Sequence, residues 1–380
     1  MRIAVFDYRV IRNNPVGSCH LKMLDGLCHQ HEFTVFAVEF ENPCPERIRW
    51  VRIPVPVRPY ILLYALYHLA APLAYFWART IRGMRFDLVQ LVESNLLLGQ
   101  VSYSHFCHRR YLKRHWSETR AAGLRGWLRG LAHWAAARME PLVYRRVRHV
   151  VVPSRGLAEE LRGEYPASRQ KILLLPNSVD VDRLRPPSWE QRQELRESIG
   201  IASEDTVLVF VALGHFERKG LPLLLEAAAR LSDPHLKVFV IGGEKGLLED
   251  YRQRIGKMGL GSSVRFEGMQ RDLRPYYWSA DAFLLPSCYE VFPLVALEAA
   301  AAGLPLLVTP LNGVEEMLAD GRNGFLMERS VEGVFTAIRN LMQLTKDQRQ
   351  AMGAQARETA LRYDTGNFVA AWKNFYASLA

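Results

Sequence analysis

The sequence predicts an α/β protein built from two doubly wound, parallel-sheet domains. Short apolar runs alternate with helical segments in both halves of the chain, which is the pattern of a parallel sheet covered by helices. With 380 residues, 49% of them hydrophobic, the chain can form two cores of ordinary size. Proline-containing stretches at 176–177 and 185–188 interrupt the pattern near its middle and mark a domain boundary.

The apolar runs give the expected strands in chain order. In the first half the runs cover residues 2–7, 33–40, 87–92 and 148–152. In the second half they cover residues 206–212, 236–242, 263–267, 281–286 and 304–309. We place the first domain at residues 1–180 and the second at residues 181–362. Because Met1–Asp7 has the composition of a buried first strand, we expect no signal peptide.

Cysteines and charges limit the class of protein. The cysteines are odd in number and lack the spacing of metal ligands, at Cys19, Cys28, Cys44, Cys107 and Cys288. This usage suits a reducing cytoplasm and predicts no metal site. Residues 1–180 hold 26 Lys or Arg against 14 Asp or Glu, whereas residues 181–380 hold 23 against 25. The basic character of the chain, whose net charge is +10, therefore belongs to the first domain.

The most informative stretch, residues 286–305, contains two glutamates. Glu290 lies in a turn after an apolar strand, and Glu298 lies inside an alanine-rich helix whose first turn tolerates Pro293. A strand that leads into a helix N-terminus offers free backbone amides and a positive dipole to an anion. A carboxylate beside bound phosphate is stable where it accepts hydrogen bonds from sugar hydroxyls. The stretch therefore predicts a nucleotide-sugar site; the alternative is an ordinary strand–turn–helix with surface glutamates.

A second stretch, residues 207–220, places two cations at the end of another strand. The strand leads through Gly214 into Arg218 and Lys219. Arg218 can bind one phosphate in a bidentate manner, and Lys219 can act as a mobile point charge on the other. Open α/β sheets bind their ligands at the carboxyl ends of strands, which is where these cations fall.

Taken in order, these stretches resemble the retaining glycosyltransferases of family 4, which have the GT-B architecture. Further matching segments are Val151–Ser154, Lys171–Asp180, Val240–Gly243, Val264–Gly268, Ala280–Asp281 and Asp320–Gly324. The C-terminal half matches closely and the N-terminal half more loosely. The resemblance implies two Rossmann-like domains that face each other across a cleft. It also implies a C-terminal helix, within residues 363–380, that returns to the first domain.

The resemblance assigns roles to single residues. Arg218 and Lys219 would stabilise the leaving diphosphate, Glu290 would bind hydroxyls of the transferred sugar, and His105 would lie over that sugar. His105 is preferred to His108 because it falls directly at a strand end. The expected donor-binding residues are Gly17, Gly214, Phe292, Pro293, Leu294, Val295 and Glu298, of which Glu298 would hold the ribose.

One departure from the family pattern and one absent motif bear on this assignment. Val16 stands where the family often has the first of two adjacent glycines, and Gly17 takes the place of the second. Family members commonly act without a metal, and no Asp-x-Asp pair follows a strand here, so we expect no metal and no cofactor. In the usual view of the family, the departing phosphate oxygen takes the proton of the acceptor.

Other classes of protein fit the sequence less well. A Rossmann dehydrogenase needs G-x-G-x-x-G after the first strand, but Asn13–Ser18 contains one glycine. A sugar-nucleotide epimerase or a non-catalytic GT-B subunit remains an alternative, although a dead subunit should have lost some of the four charged site residues. No recognised nucleic-acid-binding motif accompanies the basic first domain.

The resemblance favours UDP-glucose or a similar UDP-hexose as donor, because the Phe216–Gly220 turn is similar to that of lipopolysaccharide core glucosyltransferases. GDP-mannose is the alternative. The basic first domain favours a glycan or lipid-linked acceptor, in cell-envelope polysaccharide or lipopolysaccharide assembly.

Two segments of the first domain suggest contact with a membrane surface. Residues 59–78 carry no formal charge and are long enough to span a bilayer, but His68 and Pro72 argue against spanning. Their aromatic residues favour the headgroup level: Tyr60, Tyr64, Tyr67, Tyr75, Phe76 and Trp77. Residues 105–149 add 11 Lys or Arg and three tryptophans. We expect a cytoplasmic protein attached peripherally to the inner face of the membrane through anionic lipid; a core helix beside a solvated basic face is the alternative.

Overall fold

The computed structural model describes residues 1–120 and 123–379, which divide into two compact units. The first unit comprises Met1–Asn177 and Thr365–Ala380, and the second comprises Ser178–Asp364. Residues 121 and 122 of the basic segment 105–149, and residue 380 of the predicted segment 363–380, lie outside the described residues. The unit boundary after Asn177 falls within the proline-marked region 176–188.

The first unit is built on a parallel sheet. Its strands are β1 (Arg2–Phe6), β2 (Arg9–Val10), β3 (Glu32–Ala37), β4 (Glu39–Phe40), β5 (Arg49–Arg52), β6 (Leu88–Val92), β7 (Val101–Tyr103), β8 (His149–Val152) and β9 (Ile172–Leu174). Among the described residues, the main sheet has the order β5-β3-β1-β6-β7-β8-β9, and β2 pairs separately with β4. The four apolar runs predicted for this half all form strands.

The helices of the first unit cover that sheet. They are α1 (Pro15–Leu27), α2 (Tyr60–Thr80), α3 (His108–Arg114), α4 (Trp116–Thr119), α5 (Gly123–Arg146) and α6 (Arg155–Glu164), followed by a 3₁₀ turn at Pro166–Lys171. In α2 the buried positions recur about every four residues, at Leu63, Tyr67, Ala71, Tyr75 and Ala78. One face of this apolar helix therefore belongs to the core of the first unit.

The second unit has its own parallel sheet. Its strands are β10 (Thr206–Val211), β11 (Leu236–Ile241), β12 (Val264–Gly268), β13 (Ala282–Leu285), β14 (Leu306–Val308) and β15 (Gly324–Leu326). Their order, among the described residues, is β12-β11-β10-β13-β14-β15, so the direction of winding reverses between β10 and β13. All five predicted apolar runs form strands, and together the two sheets confirm the predicted α/β class.

Helices precede, connect and follow the strands of the second sheet. They are α7 (Trp189–Ser198), α8 (Phe216–Lys219), α9 (Leu221–Leu231), α10 (Lys245–Lys257), α11 (Arg274–Ser279), α12 (Leu294–Ala301), α13 (Val314–Met317), α14 (Val331–Gln343) and α15 (Lys346–Leu361). Strands β10, β11 and β13 are buried almost throughout, as expected for parallel strands covered on both faces.

The last helix, α16 (Thr365–Ala377), belongs to the first unit and packs against α1. Trp372 and Tyr376 of α16 are fully buried. The Tyr376 hydroxyl donates to Gln90 Oε1 at 2.8 Å, and Gln90 Nε2 lies 3.1 Å from His20 Nε2. His20 Nδ1 in turn lies 2.8 Å from Asp7 Oδ2. A buried polar chain therefore joins the C-terminal helix to the loop after β1.

Candidate active site

The candidate site lies where the second sheet reverses its winding. Strands β10 and β13 are hydrogen-bonded neighbours there, with Leu208 opposite Ala282. In open α/β sheets such a reversal opens a crevice at the carboxyl edge, because the loops on its two sides lead away from each other. The loop after β10 carries Arg218 and Lys219, and the loop after β13 carries Glu290. The topology therefore brings together two sequence stretches that are separated by about seventy residues.

Glu290 is the centre of a charged cluster. Its Oε1 atom lies 2.5 Å from Lys219 Nζ and 3.4 Å from Arg218 Nη1. The Ser287 hydroxyl donates to the same oxygen at 2.8 Å. Because these three contacts fall on Oε1, the second carboxylate oxygen can accept further hydrogen bonds. The side chains of the three charged residues are between 12% and 17% exposed, so they are only partly accessible to solvent.

The charges within this cluster hold each other ionised. Burial by itself would raise the pKa of Glu290, but the positive charges of Lys219 and Arg218 outweigh burial and place that pKa below its usual value. Burial lowers the pKa of Lys219, and the carboxylate of Glu290 opposes this effect. The cluster is therefore a preformed ion pair with one additional guanidinium charge.

Arg218 has one hydrogen-bond donor without a partner among the described residues. Its Nη1 donates to the backbone carbonyl of Tyr289 at 2.5 Å. Its Nε is buried and has no hydrogen-bond partner among the described residues. A buried donor without a partner is unfavourable, so a ligand that accepts a hydrogen bond at this point gains free energy.

Close backbone contacts hold the segments that follow β10 and β13 against each other. Gly220 has φ +81°, and a Cβ at this position would lie 2.1 Å from the Pro286 carbonyl oxygen. The Cys288 amide donates to the Arg218 carbonyl at 3.0 Å. The Thr309 hydroxyl donates to the Ser287 carbonyl at 2.6 Å, which ties the second loop to the end of β14. The positions of Arg218 and Lys219 relative to Glu290 are therefore set by the backbone.

Helix α12 begins beside this cluster. Pro293 occupies the position just before the helix, with φ −71° and ψ 98°, so the expectation that it lies in the first turn is wrong by one residue. Leu294 and Val295 then begin the helix, where no preceding turn offers a carbonyl to their amides. Phe292 is buried and its ring contacts that of Tyr363. The amides at this helix start can serve an anion, as the sequence suggested.

Glu298 lies one turn into α12 and is partly buried. The Tyr277 hydroxyl donates to Glu298 Oε2 at 3.1 Å and also lies 3.3 Å from the Val295 carbonyl. Burial and the neighbouring carboxylate raise the pKa of Tyr277, which stays a neutral donor. Tyr277 thus orients Glu298.

The two predicted donor-site glycines differ in their surroundings. A Cβ at Gly17 would lie 2.2 Å from the Arg9 carbonyl oxygen, and the Gly17 amide already donates to the capping side chain of Asn14. Gly17 is therefore required for packing within the first unit, and its role toward a donor stays a prediction. A Cβ at Gly214 would meet nothing within 4 Å, so the space beside this loop is open.

His105 follows β7 in the first unit and is buried. Its Nε2 lies 3.1 Å from Asn177 Oδ1, an acceptor that also receives the Tyr103 hydroxyl. Its Nδ1 is buried without a partner in the part of the chain that the structure describes. Burial lowers the pKa of His105 to about 3, so the ring is neutral. An Nε2–H donor to Asn177 leaves Nδ1 as a free acceptor for a hydroxyl group.

His108 is engaged with other side chains. Its Nδ1 lies 2.9 Å from His133 Nδ1, and its Nε2 lies 3.3 Å from Glu93 Oε2. Burial opposes protonation of His108, but Glu93 and Glu140 outweigh it and raise the pKa. Both ring nitrogens of His108 therefore have partners, whereas His105 keeps one without a partner among the described residues, and the choice between them stays a prediction.

Two residues of the site, Ser287 and Tyr277, were not selected from the sequence. Ser287 lies within the recognised stretch, and its position beside Glu290 could have singled it out. Tyr277, by contrast, comes from α11, and no spacing connects it with Glu298.

A cavity of about 530 Å³ lies at the opposite, amino-terminal edge of the second sheet, beside Trp189, Trp278 and Gly303. The arginines there already bind backbone carbonyls and Asp281, so they are less available to a phosphate than Arg218 and Lys219.

Two sequence models of glycosyltransferases match the chain. The one described as "Glycosyl transferases group 1" matches residues 191–359, and "Glycosyltransferase Family 4" matches residues 21–183. The D-inositol 3-phosphate glycosyltransferase of Geodermatophilus obscurus is 35% identical over 217 residues, which are 53% of this chain and 46% of that protein. The corresponding protein of Corynebacterium urealyticum is 29% identical over 229 residues, 57% of this chain and 53% of that protein. The chain spans about half the length of the curated relatives it matches.

Solved structures resemble the whole chain. WaaG, a glycosyltransferase involved in lipopolysaccharide biosynthesis, has a TM-score of 0.79 at 20% identity and covers 98% of this chain and 99% of its own. Anabaena HepE, solved in complex with UDP and glucose, has a TM-score of 0.76 at 17% identity and covers 100% of both chains. These similarities show that the fold is GT-B.

The two glycines near the cations provide a test of the loop contact. Gly220→Ala should lower the Tm by several degrees, because a strained left-handed alanine costs about 1–3 kcal/mol and 1 kcal/mol corresponds to about 2–4 °C in a domain of this size. Gly214→Ala is the matched control and should leave the Tm nearly unchanged, since its Cβ enters open space. Thermal unfolding followed by circular dichroism measures both. Equal Tm values for the two variants would contradict the close contact between Gly220 and Pro286.

Proposed function

Because the chain belongs to glycosyltransferase family 4 and has the GT-B fold, we propose that it is a retaining hexosyltransferase. It transfers a hexose from a nucleotide diphosphate sugar to a glycan or lipid-linked acceptor. The observation that carries the proposal is the pairing of Glu290 with Lys219 and Arg218 at the reversal between β10 and β13. This cluster combines cations for a diphosphate with a carboxylate for hydroxyls in one water-poor crevice.

The donor we propose is UDP-glucose or a similar UDP-hexose, used in cell-envelope polysaccharide or lipopolysaccharide assembly. The similarity of the Phe216–Gly220 turn to the lipopolysaccharide core glucosyltransferases supports it. The GT-B neighbours include one protein solved with UDP and glucose and one involved in lipopolysaccharide biosynthesis. GDP-mannose is the second candidate donor, since mannosyltransferases of the same family carry nearly the same residues.

The two cations act on the leaving group. Lys219 has three N–H donors and gives one to Glu290, so the others can reach a phosphate oxygen. Arg218 contributes its free Nε donor. The amides at the start of α12 add neutral donors. Charge that develops on the departing diphosphate is then stabilised by groups that are already in place, so no reorganisation is needed at the moment of reaction.

The two glutamates divide the donor between them. Glu290, with its Oε2 available, accepts hydrogen bonds from the transferred sugar, and Glu298, oriented by Tyr277, accepts them from the ribose. A neutral His105 accepts a hydroxyl of the sugar through Nδ1. In the transfer step the anomeric C–O bond breaks and its electron pair leaves with the diphosphate. The acceptor oxygen bonds to the same face of the sugar, and its proton passes to a phosphate oxygen.

Two alternatives use the same fold without this transfer. A sugar-nucleotide epimerase would turn over the donor in the absence of an acceptor. A non-catalytic subunit would not need a preformed ion pair, yet Arg218, Lys219 and Glu290 form one, and Glu298 is also present in α12. The transferase is therefore the function that the site supports best.

We also propose that the first unit lies on the inner face of the cytoplasmic membrane. Helix α2 is long and apolar enough to cross a membrane, a property that core helices share, and 33% of its most apolar window is buried. Of its predicted headgroup aromatics, Tyr64, Tyr67 and Tyr75 instead face the core, whereas Tyr60, Phe76 and Trp77 are exposed.

Exposed apolar residues continue onto α5, which packs against α2. Trp127 and Trp134 of α5 are 63% and 55% exposed, and Leu69 and Leu73 of α2 are 67% and 70% exposed. Arginines stack on two of the exposed indoles: Arg82 on Trp77 and Arg138 on Trp134. Indoles paired with cations suit the interface of an anionic bilayer.

Thermal stabilisation of the protein by free nucleotides should identify the nucleotide of the donor. We expect UDP to raise the Tm and ADP to have little effect, because binding to the native state alone stabilises it. Thermal shifts measured at equal concentrations of UDP, GDP and ADP decide the base. Stabilisation by GDP alone would replace UDP-hexose with GDP-mannose as donor.

The two glutamates should respond differently to neutralisation. Glu298→Gln should weaken UDP binding by about tenfold or more, the effect of losing a charged hydrogen bond. Glu290→Gln should depress transfer, because Glu290 binds the transferred sugar. It should preserve the affinity for UDP, because UDP lacks that sugar and the substitution removes a negative charge that would repel the diphosphate. Calorimetry with UDP and initial rates with the UDP-hexose measure the contrast. Glu332→Gln, an exposed position of the same unit, is the control; equal losses of UDP affinity at Glu290 and Glu298 would refute the division.

Binding to vesicles tests the membrane surface. Co-sedimentation should rise with the fraction of phosphatidylglycerol in phosphatidylcholine vesicles and fall with salt. The double variant Trp127→Ser and Trp134→Ser should sediment less, whereas Trp189→Ser, which removes an equally exposed tryptophan from the second unit, should sediment normally. Indifference to lipid charge, or an equal loss in all variants, would argue against this surface.

A further inference from the structure

A cluster of metal-binding side chains lies in the first unit, at the C-terminal end of α1. Cys28 ends α1, His29 follows it, and Cys44 lies in the loop between β4 and β5. One ligand atom from each of these three side chains lies within 4.8 Å of the others. Sequence spacing does not reveal this cluster, because Cys44 comes sixteen positions after Cys28 and no metal-ligand spacing links the two.

A fourth ligand is adjacent. Glu46 Oε1 lies 3.0 Å from Cys44 Sγ, which donates to it. Two sulfurs, one imidazole and one carboxylate form a donor set that zinc accepts. Tetrahedral zinc with Zn–S bonds of about 2.3 Å and Zn–N bonds of about 2.0 Å separates its ligand atoms by roughly 3.5–3.8 Å. The ligand atoms of Cys28, His29 and Cys44 therefore need to approach one another by up to about 1.3 Å, and the Glu46 carboxylate has to turn toward them, to reach that geometry.

The backbone around the cluster is held in place. Asn42 donates through Nδ2 to the Ile48 carbonyl at 2.8 Å and accepts the Cys44 amide at 3.0 Å. The amides of Arg47 and Ile48 both donate to the Cys44 carbonyl. These bonds fix Cys44 within a compact loop, so a metal pays little ordering entropy there. His29 and Glu46 are exposed and leave a path for an ion, whereas both thiols are buried.

We propose that Cys28, His29, Cys44 and Glu46 form a structural site for a single Zn²⁺ ion. On binding, both thiols lose their protons to solvent and the two thiolates, a neutral imidazole and the carboxylate complete four-coordination. The ion fastens the C-terminus of α1 to the β4–β5 loop. Four protein ligands leave no open position, so the site supports the fold and takes no part in transfer.

Cobalt is the probe that reports both ligand type and geometry. The full-length protein, reduced and stripped of metal, should bind one Co²⁺ per chain and show a thiolate-to-cobalt charge-transfer band with intense visible bands of tetrahedral cobalt. Added Zn²⁺ should abolish these bands and raise the Tm. Cys28→Ser and Cys44→Ser should each weaken binding by more than about 100-fold, since even outer-shell changes at metal sites cost about 10–100-fold.

Two of the proposed metal ligands, His29 and Glu46, are exposed, so they can be replaced without disturbing the core of the first unit. His29→Gln and Glu46→Gln alter surface side chains, and each should weaken Zn²⁺ binding by about tenfold or more. Cys288→Ser removes a thiol from the second unit and should leave metal binding unchanged. Absence of a stoichiometric cobalt–thiolate band would overturn the proposal. So would unchanged affinity in His29→Gln and Cys44→Ser, or a Cys28–Cys44 disulfide in the isolated protein with no metal bound after reduction.

Discussion

The ion pair between Glu290 and Lys219 is the interaction on which the candidate site depends. It exists because β10 and β13 are neighbours and because Gly220 lets one loop lie directly against the Pro286 carbonyl. Breaking a buried pair by removing one partner typically costs about 3–5 kcal/mol, because the remaining charge stays unpaired in a water-poor site. The native cluster holds two positive charges and one negative charge. A bound diphosphate would supply the missing negative charge, at the point where Arg218 Nε lacks a partner among the described residues.

Sequence patterns predicted best the strands that are buried on both faces. Apolar runs corresponded to β10, β11, β13 and β14 because parallel strands inside a sheet need continuous apolar residues, and a shorter run corresponded to the edge strand β12. Two other edge strands escaped the pattern: β5 is mostly exposed, and the short β15 contains Gly324 and an exposed Leu326. Arg218, Lys219 and Glu290 could be selected from the sequence because each falls where a predicted strand ends, and the parallel topology then brings those ends to one edge.

Contacts between distant segments that do not follow from the order of the strands could not be predicted. Tyr277 reaches Glu298 from another helix, and Cys44 meets Cys28 only because α1 ends beside the β4–β5 loop. Helix α2 shows the same limit, since composition cannot tell which aromatics face the core: Tyr67 and Tyr75 are buried, whereas Trp77 is exposed. In each case the missing information is the three-dimensional packing of elements whose sequences carry no shared spacing.

A crystal structure of the protein with UDP and with a non-transferable UDP-hexose analogue tests the central claim most directly. The account predicts the diphosphate within hydrogen-bond distance of Arg218 and Lys219, the ribose on Glu298 and the hexose on Glu290. In the complex, Arg218 Nε should have gained a phosphate oxygen as partner. Binding of the nucleotide at the opposite edge of the sheet, in the cavity beside Trp189 and Trp278, would contradict the account.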